Sequence, residues 1–571
     1  MTNQWLVPQF DPEEVSILSR SLQVPELMAK LLLHRGLKSD REANGFLNPE
    51  LKDLHSPFLF TQMEKAVSRI QKAILSKETL MIHGDYDVDG ITATAILVHS
   101  LRQYTEAGRI RTYIPHRLNQ GYGIKKESIK SAQEWGVSLI ITVDCGITAD
   151  EEVKYAASLG IDVIITDHHH HHSSPADAYA VIHPLLVKES YPYKYLSGAG
   201  VAFKIAQALE EIFGIRDEMN SYELLDLASA GTLGDIVQLD GENRIIAKHG
   251  LKQMKNTRWP GLNALLHKTR LNNKNLDSWH VGFVLGPRIN AAGRMGDADM
   301  ALNLLLSDSF EESLVISDTL EEYNKERRLI ETDIYNIALE LVHSQVNLSK
   351  EPVIVLSSPT WHIGVLGIVA SKLVSEFERP VILIGMNHSC WKGSGRSVEG
   401  FHIVDALEHC EDNLLGYGGH EMACGLSILP EQIMEFRKSI NEYALSIGFT
   451  PEIQSPGTHI DAMVDLDELN PSLLESLTLL EPHGPGNPEP VFLIKGLHTD
   501  GRPRIIKNTH LKLHVWSRSC HAEAMWFGHA EESSQFTSPS PKWDILARVR
   551  LNDYKGIQTI DLHIHDIQPS R

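Results

Sequence analysis

Cysteine is scarce: the 571 residues hold five (Cys145, Cys390, Cys410, Cys424 and Cys520), odd in number, scattered and in no CxxC pair. That excludes a disulfide framework and a finger-type zinc site. Long apolar runs are missing too. Stretches such as SLIITV fall far short of the ~20 residues a membrane span requires. The leading MTNQWLVPQFDPEE lacks a basic stretch followed by an apolar one, so it is not expected to act as a signal peptide, and the expected location is cytoplasmic. Positive charge is the third shortage, with 53 Lys and Arg against 74 Asp and Glu and a formal charge of −21. Nucleic-acid binders ordinarily show a basic footprint, so composition alone weighs against that class. What is present is ordinary for a folded protein, 42% hydrophobic and 22% charged residues, and the length predicts about three to four domains.

The first 60 residues read as amphipathic helices, PELMAKLLLHRGL and SDREANGFL, with Ser39 or Asp40 as a cap for the second. From about 65 to 240, short Ile/Val-rich runs alternate with helical patterns. Strands are predicted at Thr79–Ile82, Ser138–Val143 and Ile161–Thr166, and helices at Ile91–Tyr104 and Asp150–Leu159. Apolar strands separated by helices point to a parallel sheet covered on both faces. A second α/β pattern starts near 352, with PVIVLSS, GVLGIVASKLVSEF and PVILIG followed by a Gly-rich turn and a helix from about His402. Between the two, Phe310 to about Ser344 is helical without Pro or Gly, a connector about 50 Å long. Beyond 455 a short helix (Pro471–Leu480) and the turn-rich EPHGPGNPEP precede five alternating runs, read as a small β-barrel or sandwich.

The sharpest local feature is His83-Gly84-Asp85-Tyr86-Asp87-Val88-Asp89-Gly90, after a predicted strand and before a helix. So many ligand groups this close repel one another unless a cation neutralises them. Carboxylates with imidazole suit Mn²⁺ or Mg²⁺ rather than a thiolate-seeking metal. An Asp-x-Asp alone is as readily a structural turn. An EF-hand is excluded, because Ile96 stands at loop position 12, where that motif needs Glu. Asp144 in ITVDCG and Asp167 in IITDHHHHH close two further predicted strands. In open parallel sheets ligands collect beyond the strands' carboxyl ends, so the three strand ends can converge on one site.

His-x-x-x-Asp-x-Asp, then a strand-end Asp, then Asp-His-His, resembles the DHH phosphoesterase superfamily and, within it, the RecJ single-strand-specific 5′→3′ exonucleases. The resemblance spans nearly the whole length. It includes PELMAKLLLHRGL with FLNPELKDLHSP, IPHRLNQGYG, AGTLGDIVQL, GPRINAAGR, WHIGVLGIVASKL, GSGRS, GGHEMACG and PHGPGNPEPVF. It implies an α/β fold of two α/β lobes (DHH and DHHA1), mainly parallel sheet in the first, joined by a long helix and followed by an OB-like β-barrel. The expected division is an N-terminal helical segment 1–64, a DHH domain 65–308, a connecting helix 309–346, a DHHA1 domain 347–454 and an OB-like domain 455–571.

The resemblance further implies two divalent cations, Mn²⁺ or Mg²⁺, which activate water and clamp the phosphate without a covalent intermediate. His83, Asp87 and Asp144 are expected to hold one cation, and Asp89, Asp144, His168 and Asp235 the other. Asp85 and Asp167 are expected to support these ligands by hydrogen bonding, and His169 to meet the substrate phosphate. Three extra histidines, His170 to His172, depart from the family pattern and are read as a solvated loop. Arg117, Ser394 and Arg396 match positions that bind a 5′-terminal phosphate, Arg288 and Arg294 are candidates for backbone contacts, and His420 for the scissile or a neighbouring phosphate. In the last module Trp516, Trp526, Phe527, Trp543 and Tyr554 lie among Arg502, Arg504, Lys507, Lys512, Arg548 and Arg550. Such residues either stack on bases or simply build a core.

The implied activity is hydrolysis of single-stranded DNA from its 5′ end to 5′-mononucleotides, in recombination and repair. A helicase and a single-strand-binding protein are the implied partners, with no membrane association and a monomeric chain. Two other readings compete: a DHH phosphoesterase for short oligonucleotides or cyclic dinucleotides, and a non-catalytic DHH scaffold at the replication fork. The first generally lacks the flanking modules, and the second predicts lost ligands, whereas every motif position is present. The charge of −21 is then partly the acidic cluster itself, where bound cations reverse the local field.

Overall fold

The computed structural model describes residues 5–117, 120–170, 174–216, 219–387, 390–450, 458–537, 541–554 and 557–570. Its contacts divide the chain into two compact units. One comprises Met1–Leu54, Gln238–Lys248 and Ser455–Arg571, and the other His55–Val237 and His249–Gln454. Among the described residues no helix is long and apolar enough to cross a membrane.

The second unit contains both α/β sheets. In the first, strands Ile110–Tyr113, Thr79–His83, Val137–Val143, Asp162–Thr166 and Ala180–Ile182 lie side by side in that order, all parallel. Leu80, Ile82, Leu139, Ile141 and Ile164 are fully buried, as expected for strands covered on both faces. Chain order reverses between the strands ending at His83 and Val143, and such a switch point opens a crevice at the strands' carboxyl ends. The helix Val88–Arg102 follows the first strand and is buried along almost its whole length. Its small Ala and Thr residues let Gly198–Phe213 and Leu225–Gly234 pack closely on it.

The helix predicted between the lobes runs Phe310–Gln345, capped by the Ser309 hydroxyl, which accepts from Glu312 N. The second sheet is mixed: Ile354–Ser358 and Val381–Asn387 are parallel, and Cys390–Arg396, Ala423–Ile428 and Leu414–His420 continue it antiparallel. The expected Gly-rich turn is therefore a strand. Its glycines serve close packing instead: a Cβ on Gly395 would lie 2.5 Å from Cys424 Sγ and 2.8 Å from Ile403 Cδ1.

In the first unit the early helices Pro12–Leu22, Glu26–His34 and Asp40–Leu47 share one core with the C-terminal strands. Val15, Leu18, Leu31 and Leu32 are buried together with Phe492, Leu513, Trp526 and Trp543. Ser39 caps the third helix in a reciprocal capping box with Glu42. The last five long strands close on themselves: Phe492–Thr499, Trp543–Tyr554, Ile557–Pro569, Cys520–Trp526 and His510–Ser517 are paired in that order, and the last pairs back with the first. The module is thus a barrel, not a sandwich. Trp526 and Trp543 belong to its core, Phe527 is exposed, and Trp516 stacks on His498 with centroids 4.3 Å apart. The Tyr554 side chain lies outside the described ones. Arg244 is sealed in this unit, donating to the carbonyl oxygens of Phe46, Leu479, Leu480, Glu481 and Pro482.

Candidate metal centre and phosphate cleft

The crevice at the switch point gathers carboxylates from separate segments. Asp144 directly follows the strand Val137–Val143 and adopts φ 60°, a left-handed turn that Asp tolerates better than most residues. The turn presses its side chain against the start of the helix Gly198–Phe213, where a Cβ on Gly198 would come within 2.6 Å of Asp144 Cβ. Glycine is required there by proximity. Asp87 caps the helix Val88–Arg102, its Oδ1 accepting from Asp89 N at 3.0 Å and Gly90 N at 3.1 Å. Asp89, the second residue of that helix, is fully buried and accepts from the backbone N–H groups of Gly198 (2.6 Å) and Ala199 (2.9 Å). Asp235 closes the helix Leu225–Gly234 and brings its carboxylate to the same place.

Three sets of donors lie within 4.8 Å of one another: Asp85, Asp87 and Asp144; Asp89, His168 and Asp235; Asp144, His168 and His169. His168 Nε2 is 3.0 Å from Asp144 Oδ1, 3.4 Å from Asp235 Oδ2 and 3.7 Å from Asp89 Oδ2. Burial, followed by the charge of neighbouring carboxylates, pushes Asp85, Asp89, Asp144 and Asp235 above the ordinary carboxylate range. Without a counter-charge these groups hold protons to avoid one another. His83, at the end of its strand, is fully buried, and its Nε2 has no hydrogen-bond partner among the described residues; neither has Asp85 Oδ1. Orphaned donor atoms beside mutually repelling carboxylates fit hard divalent cations.

Of the expected first set, Asp87 and Asp144 come together with Asp85, and His83 stands at the neighbouring strand end with its Nε2 unpartnered among the described residues. The His83 ring stacks on Tyr113 at 5.2 Å, with Cys145 Sγ 3.9 Å from Nδ1. Asp89, His168 and Asp235 are brought together as a group. Asp167 spends its oxygens on the protein, Oδ2 on Ile147 N (3.0 Å) and Oδ1 on His168 N (2.7 Å), His169 N (3.1 Å) and His169 Nδ1 (2.8 Å). Against its burial, the His169 hydrogen bond and the nearby histidines hold Asp167 well below the usual range. His169 responds in kind: burial opposes its charge, but Asp167 and the surrounding carboxylates raise it to about 9. His170 is described and exposed, whereas His171 and His172 lie outside the described residues.

Cations lie near these acids: the charge of Arg117 acts on Asp85, and that of Asp87 on Arg294. The Arg117 guanidinium sits 4.7 Å over the Tyr86 ring. Arg294 donates to Gly364 O at 3.1 Å; burial, then the charges of Arg117, Arg327 and Arg396, lowers it to about 9. Arg396 donates to Gly395 O (2.8 Å) and reaches Ser394 Oγ (3.4 Å). A Cβ on Gly367 would meet both side chains at 2.9 Å. His420, at the end of the strand Leu414–His420, is lowered by burial, then by Arg396 and His169, so it shares the cleft. Arg288 stands apart from these, bound to Glu321 of the long helix at 2.6 Å and to Val284 O.

Two contributors escaped the sequence reading. Tyr122 donates to Asp144 O at 2.9 Å and lies 3.0 Å from His169 Nδ1. Asn290 Oδ1 accepts from Val88 N at 2.8 Å, steadying the acidic loop. Both sit inside segments singled out for an arginine, IPHRLNQGYG and GPRINAAGR, and nothing in the spacing marks them.

Comparison with known proteins agrees with this architecture. Family profiles described as the DHH family N-terminal domain, the DHHA1 domain and the RecJ OB domain match residues 79–232, 350–446 and 460–566. The single-stranded-DNA-specific exonuclease RecJ of Bacillus subtilis is 35% identical over 566 residues, 99% of this chain and 70% of its own. That of Escherichia coli is 32% identical over 572 residues, 96% of each chain. The crystal structure of RecJ from Thermus thermophilus in complex with Mn²⁺ superposes with a TM-score of 0.83 at 30% identity, covering 100% of this chain and 80% of its own. A second structure of that protein is in complex with Mg²⁺, with a TM-score of 0.77 at 28% identity, covering 100% of this chain and 79% of its own.

Proposed function

This chain belongs to the RecJ family of single-stranded-DNA-specific exonucleases, and from that premise we propose how its own residues perform the reaction. The protein is a metal-dependent exonuclease that hydrolyses single-stranded DNA in the 5′→3′ direction. The observation that carries the reading is the buried acidic crevice beside a cationic cleft, in a fold of this family.

Divalent cations, Mn²⁺ or Mg²⁺, supply Lewis acidity and a water acidic enough to attack a phosphodiester at neutral pH. The residues proposed to hold them are Asp85, Asp87, Asp89, Asp144, His168 and Asp235, with the unpartnered Nε2 of His83 as a further donor. Asp144 belongs to two of the donor sets and is the proposed shared ligand. Asp167 fixes the His169 ring through Nδ1 and favours its protonated form. A cationic imidazole at the cleft strengthens hydrogen bonding to the phosphate as charge builds up. Arg117, Arg294 and Arg396, with Ser394, are proposed to take the 5′-terminal phosphate. Holding that end fixes which bond lies over the carboxylates, so the product is a 5′-mononucleotide. His420 is proposed to touch a phosphate beside it. Arg288, held by Glu321, contributes by fixing the long helix against the helix that bears Arg294.

Finer points follow the family reading: a monomeric cytoplasmic enzyme of recombination and repair, supplied with single strands by a helicase and with single-strand-binding protein as a partner. The test is 5′-labelled single- and double-stranded DNA incubated with the purified protein in Mn²⁺, Mg²⁺ or EDTA. Release of label from single strands alone, lost in EDTA, is expected. Cleavage confined to dinucleotides, or metal-dependent binding without cleavage, overturns the reading.

A further inference from the structure

The helical run Ser278–Met295 meets the acidic loop at its C-terminal end. There Asn290 Oδ1 accepts from Val88 N, a Cβ on Gly293 would lie 2.7 Å from Tyr86 O, and Arg294 reaches Gly364 O. Val281, Leu285, Ile289 and Ala292 form the buried stripe of the run. At its other end Trp279 and Phe283, four residues apart and so on one face, are 53% and 65% exposed. Their ring centroids lie 6.0 Å apart with planes inclined by 21°. Two large rings held in parallel and left in water are unusual, because such surface is ordinarily covered.

The surroundings point to the same end. Phe283 lies in the π-helical turn Val281–Leu285, a rare geometry frequent at functional sites. The helix Leu225–Gly234, which delivers Asp235, packs on that turn. Ile236, next to Asp235, is 75% exposed with φ 62°. A β-branched residue in the left-handed region is strained, and such strain persists at functional sites. Phe283 precedes Asn290 and Arg294 by seven and eleven residues, close to two and three helical turns, so the rings stand on the side of the run that leads to the cleft.

We propose that Trp279 and Phe283 form a stacking platform for the bases of the single strand on the 3′ side of the scissile bond, with Ile236 as an apolar contact between platform and centre. Aromatic faces are what single-strand grooves offer to bases, and the same run leads three turns on to Arg294 in the phosphate cleft. Bases paired in duplex already have their faces covered, so only an unpaired strand can use the platform. The inference rests on the exonuclease reading and adds a determinant of strand preference and of substrate length.

The test compares the full-length protein with Phe283→Ala, Trp279→Ala and Phe283→Trp on a long single-stranded oligonucleotide and on a trinucleotide. Each alanine variant is expected to raise KM on the long strand about tenfold, leaving the trinucleotide kcat unchanged, and Phe283→Trp to restore KM. A long strand with abasic residues at its third to sixth positions is expected to raise the wild-type KM similarly and to show no further loss with Phe283→Ala. Equal KM for Phe283→Ala and wild type on the long strand, or equal losses on intact and abasic strands, overturns the platform. Failure of the wild type to cleave any single strand overturns the exonuclease reading instead, so the two failures are distinct.

Discussion

In the parallel sheet, His83 and Asp144 stand at or just past a strand's carboxyl end and Asp87 and Asp89 begin the helix that follows, each carboxylate met by backbone N–H groups or by a histidine. In the mixed sheet, Ser394 and Arg396 lie along a strand and alternate with Gly393 and Gly395, and their support is shape. The first sheet therefore collects negative charge where loops can converge, and the second presents positive charge on a stiff strand stripped of competing side chains. A chain of net charge −21 can thus hold DNA, because steering depends on the local field and not on the sum.

The acidic half breaks most completely at Asp144. Asp144→Ala removes an oxygen shared by two donor sets and is expected to cost about 4 kcal/mol of transition-state stabilisation, about 10³-fold in kcat. Single-turnover cleavage of labelled single strands measures it; a loss under tenfold would remove Asp144 as the shared ligand. Asp144→Asn, which keeps a side chain suited to φ 60°, is expected to lose a comparable factor and so separates the lost ligand from strain in the turn.

Chelation breaks the same half without mutation and has a stability readout. The carboxylates Asp85, Asp89, Asp144 and Asp235 are raised by burial and mutual repulsion. A carboxyl whose folded value exceeds its unfolded one binds more protons folded, so stability falls as pH rises between the two values. His169, raised to about 9, acts in the same direction, its contribution present below the ordinary histidine value and lost as pH climbs through 9. The metal-free protein is therefore expected to lose several degrees of Tm between pH 6 and pH 8, and Mn²⁺ to restore more at pH 8 than at pH 6. Calorimetry with and without EDTA decides; a metal-free Tm that rises with pH would contradict the repulsion.

How far this contrast could be read from the amino-acid order depends on what fixed each residue. The acids were legible because strand ends are set by hydrophobic runs, and HGDYDVDG, VDCG and TDHH sit directly after three of them. The helix Phe310–Gln345 was legible for the same reason, a long pattern unbroken by Pro or Gly. The place of Asp85 beside Asp87 and Asp144 was not, because it depends on the backbone turn that brings Gly90 within close contact of Asp85. The strand Cys390–Arg396 was hidden by its glycines, which normally mark turns but here answer to Cys424 and Ile403 pressing on them. Arg288 looked equivalent to Arg294, and only tertiary packing pairs it with Glu321. In the barrel, alternation placed the strands yet left open which tryptophans faced inward; Trp526 and Trp543 do.

The basic half breaks more gently. Arg396→Ala removes a guanidinium fork while Arg117 and Arg294 remain, and charge-assisted hydrogen bonds of this kind are each worth about 1.5–3 kcal/mol. A loss of about 10–100-fold in kcat/KM is expected on 5′-phosphorylated strands, with little change on 5′-hydroxyl strands. Equal losses on both would take Arg396 out of the terminal-phosphate site and leave it a general contact.

Tyr122 is the smallest lever and the one that joins the two halves, since it touches the turn of Asp144 and the ring of His169 at once. Tyr122→Phe keeps the ring, which packs edge-on against His169 at 5.4 Å, and removes only the hydroxyl. His169 keeps its bond to Asp167 at 2.8 Å, so its protonation should persist. What is lost is one hydrogen bond to a backbone carbonyl, worth about 1 kcal/mol, and with it the stiffness of a turn held at φ 60°. A fall in kcat of about fivefold is therefore expected, with KM for 5′-phosphorylated strands unchanged and the metal concentration for half-maximal activity raised. If KM moves and the metal requirement does not, Tyr122 serves the phosphate through His169 and not the carboxylate turn, and the line between the two halves runs on its other side.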